Sequence, residues 1–246
     1  MPTHQLVFAC AVDTAEADNG SQPGELVEWA RGGFGVAEIC GDELASALAA
    51  RVTAAGMMPV LAATVRSAAE VGPLSELAKR TGALAVCVSA GIGTPQPDTW
   101  DDIARACALL SSGSGAAMLL DVAADDPPQH LERVATLCAT ETALRLRLDV
   151  SPFPRRQADG EHRPLLARLL DRVDMLKGSG AADEMPICAE VMRLWRRRTP
   201  PGRWMVFAVR TSPDGAPGER IRRSCGACAV AATAWKQSAT APPLWP

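Results

Sequence analysis

The sequence predicts an α/β protein built as a single (β/α)8 TIM barrel, and three observations carry that expectation. Eight short apolar runs lie at residues 6–12, 35–40, 58–64, 83–89, 116–122, 144–150, 173–177 and 204–210. Each is about the length of a buried strand, and the spacer after each is long enough for a crossover helix. The 246 residues suit eight such units, and no linker-like stretch breaks the rhythm. One barrel over 1–237 is therefore expected, followed by a loosely held Pro- and Ala-rich tail over 238–246.

Taken in order, each unit carries its own signals. The first run follows an N-terminus with no charged n-region and no apolar h-region, so no signal peptide is expected. The second run carries Glu38. Asp42-Glu43-Leu44 opens the helix behind it, with acids where the helix dipole favours them. Leu44, Leu48, Val52 and Ala55 form its apolar stripe and Gly56 ends it. The third run ends near Arg66, and Leu74, Leu77 and Ala78 line the next helix. Ile103, Cys107 and Leu110 do the same after the fourth run. The fifth run ends at Asp121. Pro127-Pro128 starts its helix, where a missing N–H costs nothing, and Leu131, Val134, Leu137 and Cys138 face inward. In the sixth run Leu144, Leu146, Leu148 and Val150 share one face, and Arg145, Arg147 and Asp149 the other. Leucines suit the layer between sheet and helices. Arg145 and Arg147 are thus expected in the lumen, each against a carboxylate, because unpaired buried arginines are costly. Leu165, Leu166, Leu169 and Leu170 make the sixth helix. The seventh run ends at Lys177, before the small-residue loop Gly178-Ser179-Gly180. Ile187, Val191 and Leu194 form the seventh helix, stopped by Thr199-Pro200-Pro201-Gly202. The eighth run ends at Arg210, and an apparent helix over 219–235 follows.

Composition narrows the function classes. A formal net charge of −3 argues against a nucleic-acid surface, which needs clustered positive charge. The dense run Arg193, Arg196, Arg197, Arg198 and Arg203 is read as a solvated helix end. No apolar stretch is long enough for a membrane span, so the expected location is the cytoplasm. Eight cysteines are spread through the chain, where free thiols act as small hydrophobes. The one CxxC, Cys225-Gly-Ala-Cys228, has no second pair or nearby histidine and is read as packing.

Strand ends are where a barrel does chemistry. They collect the acids Asp13, Glu38, Asp121 and Asp149 and the bases Arg66, Arg147, Lys177 and Arg210. Structural ion pairing explains any one of these residues. The convergence of eight suits a small anionic or polyhydroxylated ligand.

Several local motifs resemble the xylose-isomerase-like barrels, the sugar phosphate isomerase/epimerase group. Val36-Ala37-Glu38-Ile39, Met118-Leu119-Leu120-Asp121, Leu146-Arg147-Leu148-Asp149 and the stretch from Leu170 to Gly178 carry the resemblance. It implies a divalent metal held by two glutamates, an aspartate and a histidine at the ends of strands five to eight. This chain departs from that set. Asp121 stands at the first glutamate position, Asp149 keeps the aspartate, Met175 replaces the histidine, and Arg210 stands at the last glutamate position. Methionine and arginine offer a hard cation nothing, so neither a metal nor another cofactor is expected. His4, His130 and His162 lie off the strand ends. The resemblance also implies pairing through helical faces, as a homodimer.

Three readings follow. The first is metal-independent isomerase or epimerase chemistry: Glu38, Asp121 or Asp149 takes the proton, and Lys177, Arg147 or Arg210 polarises the carbonyl. Arg66, Arg147, Gly178, Ser179 and Arg210 then bind the substrate. The second is a Schiff-base lyase or aldolase using Lys177. The third is a binding or scaffold barrel that has lost its chemistry.

Overall fold

The computed structural model describes residues 5–13, 23–40, 45–90, 97–111, 116–150, 162–179, 185–198, 203–209, 228–229, 231–233 and 235–236. Its strands are β1 (Gln5–Asp13), β2 (Val36–Cys40), β3 (Met58–Val65), β4 (Ala85–Ala90), β5 (Ala117–Ala123), β6 (Leu146–Asp149), β7 (Val173–Ser179) and β8 (Trp204–Val209). They follow one another in chain order around a closed barrel. Every pair with a described register is parallel. The first backbone link of the closure is the Gln5 N–H donating to the Arg203 carbonyl at 3.0 Å.

The helices are α1 (Pro23–Arg31), α2 (Ala45–Ala54), α3 (Val71–Thr81), α4 (Pro97–Ser111), α5 (Pro128–Thr140), α6 (His162–Leu169) and α7 (Met185–Arg198). Residues 228–229, 231–233 and 235–236 are helical, where a helix over 219–235 was expected. The residues Asp42 to Leu44, Arg210, Cys225 and the tail 238–246 lie outside the described residues.

Contacts divide the chain into two compact units. One comprises residues 9–121 and 140–145 and holds most of β1 together with β2, β3 and β4 and most of β5. Register partners on parallel neighbours point the same way, so its two faces can be read directly. Ala37, Ile39, Leu61, Val65, Val86, Val88, Met118 and Leu120 form one wholly apolar, buried face. Leu48, Ala49 and Val52 of α2, Val71 and Ala78 of α3 and Ile103, Ala104 and Cys107 of α4 are buried with them. Gly56 and Gly82, just past α2 and α3, take φ of +86° and +64°. The Gly82 N–H closes α3 on the Ala78 carbonyl. Left-handed backbone suits glycine at that position.

The other unit comprises residues 1–8, 122–139 and 146–246 and holds β6, β7 and β8. Leu148 and Leu176 are register partners and fully buried. Leu131 and Val134 of α5, Leu166 and Leu169 of α6, and Val191 and Trp195 of α7 are buried too. The Trp195 indole donates to the Val173 carbonyl at 2.8 Å, tying α7 to the start of β7.

The sixth strand corrects the sequence reading. It begins at Leu146, two residues later than the apolar run, and Arg145 precedes it and is exposed. The Arg145 carbonyl accepts the Leu120 N–H at 3.0 Å, but its side chain is not a packed lumen residue. The physical reason is that the strand starts after Arg145, so strand alternation assigns it no face; a register shift also lies between Leu146 and Arg147. Leu146 pairs with Val173 but Arg147 with Met175, so Asp174 is an extra residue in β7 and the face alternation is interrupted there. Asp174 is buried and ion-paired with Arg203.

The basic end of α7 is held by local partners. Arg196 lies 4.2 Å from the centre of the Trp235 ring and donates to the Trp235 carbonyl at 2.8 Å. Arg198 donates to the Ala167 carbonyl at 2.8 Å.

Candidate functional site

In the first unit the inner face follows by elimination from the apolar outer one. Val36, Glu38 and Cys40 align with Met58, Val60 and Ala62; Val60, Ala62 and Thr64 align with Ala85, Cys87 and Ser89; and Ala85 and Cys87 align with Ala117 and Leu119. The same alternation puts Thr64 and Asp121 on this face. Its middle is closed: Val36, Val60, Ala85, Cys87 and Leu119 are buried, and Glu38 is only 4% exposed. Toward the C-terminal strand ends it opens, with Ala62, Ser89 and Asp121 half-buried and Thr64 exposed. Polar groups therefore gather at the open end, where a (β/α)8 barrel places its chemistry. Asp13 pairs in register with Cys40 at the same level of β1.

Arg66 is the next residue after β3 and is exposed. Glu70 organises the turn around it. One carboxylate oxygen accepts the Arg66 N–H at 3.2 Å and the other accepts the Ser67 hydroxyl at 3.1 Å. These bonds fix the backbone of Arg66 and leave its side chain to solvent.

In the second unit Arg147 and Asp149 align with Met175 and Lys177. The Lys177 ammonium lies 3.7 Å from an Asp149 carboxylate oxygen, with 13% and 17% of the two side chains exposed. Arg147, one layer deeper on the same face of β6, is 3% exposed. A base, an acid and a deeply set guanidinium thus share one sheet face at the ends of adjacent strands. Gly178 is buried, and Ser179 closes β7. Burial strengthens the electrostatics of such a group, since water no longer screens it.

Strand-end reasoning alone overlooks one pair. Asp126, in the turn after β5, and His130, in the first turn of α5, stand with carboxylate oxygen and Nδ1 3.3 Å apart. The same Asp126 oxygen accepts the Ala123 N–H at 3.0 Å, so the pair is anchored to the end of β5. The signal available in the sequence is the i,i+4 spacing of an acid and a histidine across a Pro-initiated helix start.

The four-ligand metal cage implied by the sequence resemblance does not fit these donors. Met175 lies in the row of Arg147 on the face that carries Lys177, where a ligating imidazole is required. Among the described residues no group of three or more His, Cys, Asp or Glu could hold a metal ion. Of the cysteines in the expected CxxC, Cys228 is buried. No helix among the described residues is long and apolar enough to cross a membrane.

No protein-family model and no curated protein matches this sequence. Solved structures do resemble the fold. A sugar phosphate isomerase/epimerase from Parabacteroides distasonis is 10% identical with a TM-score of 0.59, covering 90% of this chain and 96% of that one. A xylose isomerase-like TIM barrel/4-hydroxyphenylpyruvate dioxygenase fusion protein is 12% identical with a TM-score of 0.62. That match covers 95% of this chain and 43% of the fusion. A tryptophan synthase from M. tuberculosis is 12% identical with a TM-score of 0.55, covering 92% of each chain. Similarity at this level of identity concerns architecture, and one fold hosts many chemistries. The chain has the (β/α)8 barrel fold, shared with xylose-isomerase-like and sugar phosphate isomerase/epimerase barrels.

Proposed function

We propose that this protein catalyses isomerase- or epimerase-type proton transfer on a small anionic carbonyl or sugar-derived compound, without a metal. The observation that carries this reading is the partly buried Lys177–Asp149 pair, 3.7 Å apart at the ends of β7 and β6, above the buried Arg147. Removing a proton beside a carbonyl needs a base and a group that stabilises the developing oxyanion. Asp149 is the base in this reading. The Lys177 ammonium, held against it, donates to the substrate oxygen. The proton returned to the neighbouring carbon or to the opposite face gives an isomer or an epimer. Arg147, Gly178 and Ser179, in the same unit as Asp149 and Lys177, bind the substrate in this reading. The absence of a metal from the mechanism is supported by Met175, whose thioether is a poor ligand for a hard cation.

An ion-paired ammonium is a hydrogen-bond donor and a poor nucleophile, which favours this reading over a Schiff-base lyase using Lys177. The test is solvent-deuterium incorporation into candidate aldose and ketose phosphates, followed by NMR with and without chelator. Exchange by the wild type that survives chelation, and falls at least a hundredfold in Lys177→Met and in Asp149→Asn, is expected. Exchange abolished by chelator, or an imine trapped on Lys177 by borohydride, would replace the reading. No exchange at all would favour a binding barrel.

A further inference from the structure

The turn after β5 holds a carboxylate that the proton-transfer reading does not use. Asp126 clasps the end of β5 twice. Its N–H donates to the Ala123 carbonyl at 3.1 Å, and its Oδ2 accepts the Ala123 N–H at 3.0 Å. The same Oδ2 lies 3.3 Å from His130 Nδ1. An ionised carboxylate has no proton to give, so the proton between these two atoms belongs to the imidazole. His130 is carried by the first turn of α5, where its own N–H and that of Leu131 donate to the Pro127 carbonyl at 2.8 and 3.1 Å. Leu131 is fully buried, so the imidazole rides on an anchored element.

The clasped turn reaches the Lys177–Asp149 pair through backbone. The Ala124 N–H, next after the clasp, donates to the Asp149 carbonyl at 2.8 Å, and Ala124 is fully buried. One residue on, the Val150 N–H donates to the Lys177 carbonyl at 2.9 Å. Contacts therefore run unbroken from His130 through Asp126 and the end of β5 to Asp149 and on to Lys177, all inside one compact unit. Asp149 is the last residue of β6, where a strand is least constrained by its own ladder, so a fixed partner on the β5 side matters most there. A base must be held to within a fraction of an ångström of its working position. We propose that Asp126, steadied by His130, is a positioning residue for Asp149. It fixes the turn whose Ala124 N–H holds the Asp149 peptide, and so sets where that carboxylate meets Lys177. The role of Asp149 as base rests on the proposed function; the hold on its peptide does not.

A purely structural turn would lose stability on mutation without any change at Asp149. The experiment is NMR of the full chain with no substrate, reading the Asp149 carboxyl carbon resonance and hydrogen exchange of the Ala124 amide. The resonance is assigned by its loss in Asp149→Asn. In Asp126→Ala the Ala124 amide should exchange at least tenfold faster, and the Asp149 resonance should shift by more than its linewidth. Asp126→Asn keeps an accepting oxygen without the charge and should restore most of both, which separates the hydrogen bond from bulk electrostatics. His130→Phe should shift the resonance in the same direction by less, and it carries the test if Asp126→Ala does not fold. Glu70→Ala is the control: it removes a similar carboxylate clasp from the turn after β3 and should leave both readouts unchanged. Thermal unfolding of each variant reports folding separately. An Asp149 resonance unmoved in folded Asp126→Ala or in His130→Phe, or moved equally by Glu70→Ala, would overturn the inference. Where the wild type exchanges substrate deuterium, Asp126→Ala should lower kcat at least tenfold with KM within twofold, and an unchanged kcat would also overturn it. Lack of exchange by the wild type removes only the proton-transfer reading, because the hold on Asp149 is read without substrate.

Discussion

Cys10 and Cys107 sit among apolar side chains, and burial pushes each thiol up to about 12, from an ordinary 9.0. Burial likewise raises Cys138 to about 11. A thiol in water would ionise near 9.0, so the unfolded chain loses these protons at lower pH than the folded one. The native state thus binds more protons in that window, and stability falls as pH rises. The contribution is fully present below pH 9 and is lost progressively toward pH 11 to 12. Urea midpoints should fall between pH 8 and pH 10.5, less steeply in Cys107→Val; identical slopes would mean the thiols are not responsible. The same residues show what a sequence can reveal at this scale. Cys10, Cys87, Cys107 and Cys138, read as small hydrophobes, are buried, whereas Cys40 is half-buried. The pairing of Lys177 with Asp149 was less accessible: the residues were legible as strand-end charges, but their partnership depends on the register of β6 against β7.

At the scale of elements, strand positions follow from apolar runs because burial on both faces selects unbroken apolar sequence. The exception is instructive. Residues 144–150 have perfect alternation, yet the strand is Leu146–Asp149 and the face pattern slips at Leu146/Arg147. Alternation assigns faces only while both strands advance together, and Asp174 is inserted by its partner strand. Nothing in residues 144–150 records that insertion. Arg145 was misplaced because it precedes the strand, where alternation assigns no face. Helix ends are more local and so more legible. Gly82 takes φ +64° with no atom within 4 Å of an added Cβ, so a substitution there meets backbone strain and no steric clash. Gly82→Ala should cost about 1 kcal/mol in urea unfolding, and Gly82→Asn less, since asparagine tolerates that region. A neutral Gly82→Ala would show that the helix end relaxes.

For the whole molecule, eight consecutive strands in chain order were readable because length and periodicity agree in every unit. Function was less readable for a physical reason: a barrel is specified by its outer apolar face, whereas chemistry needs only a few inner positions. Glu38, Arg147 and Lys177 share a sequence pattern with structural ion pairs, and only their level on the sheet separates the two. Asp126 gave only its spacing to His130, since its link to Asp149 passes through the backbone pairing of β5 with β6.

The bond from Trp195 to Val173 has an optical consequence. An indole that is fully buried, donates its N–H to a strand carbonyl and lies 6.4 Å from the Trp235 ring emits at shorter wavelength than solvated tryptophans. Its colour reports whether α7 is seated on β7, the strand that carries Lys177. Trp29 is buried too, so in Trp195→Phe the short-wavelength edge of the emission should weaken, with a stability loss of about 1–3 kcal/mol from the orphaned carbonyl and lost packing. Unchanged emission would assign that edge to another tryptophan. With the assignment made, a shift of that edge on adding a ligand becomes a label-free signal of events at the seventh strand, obtainable before any substrate is known.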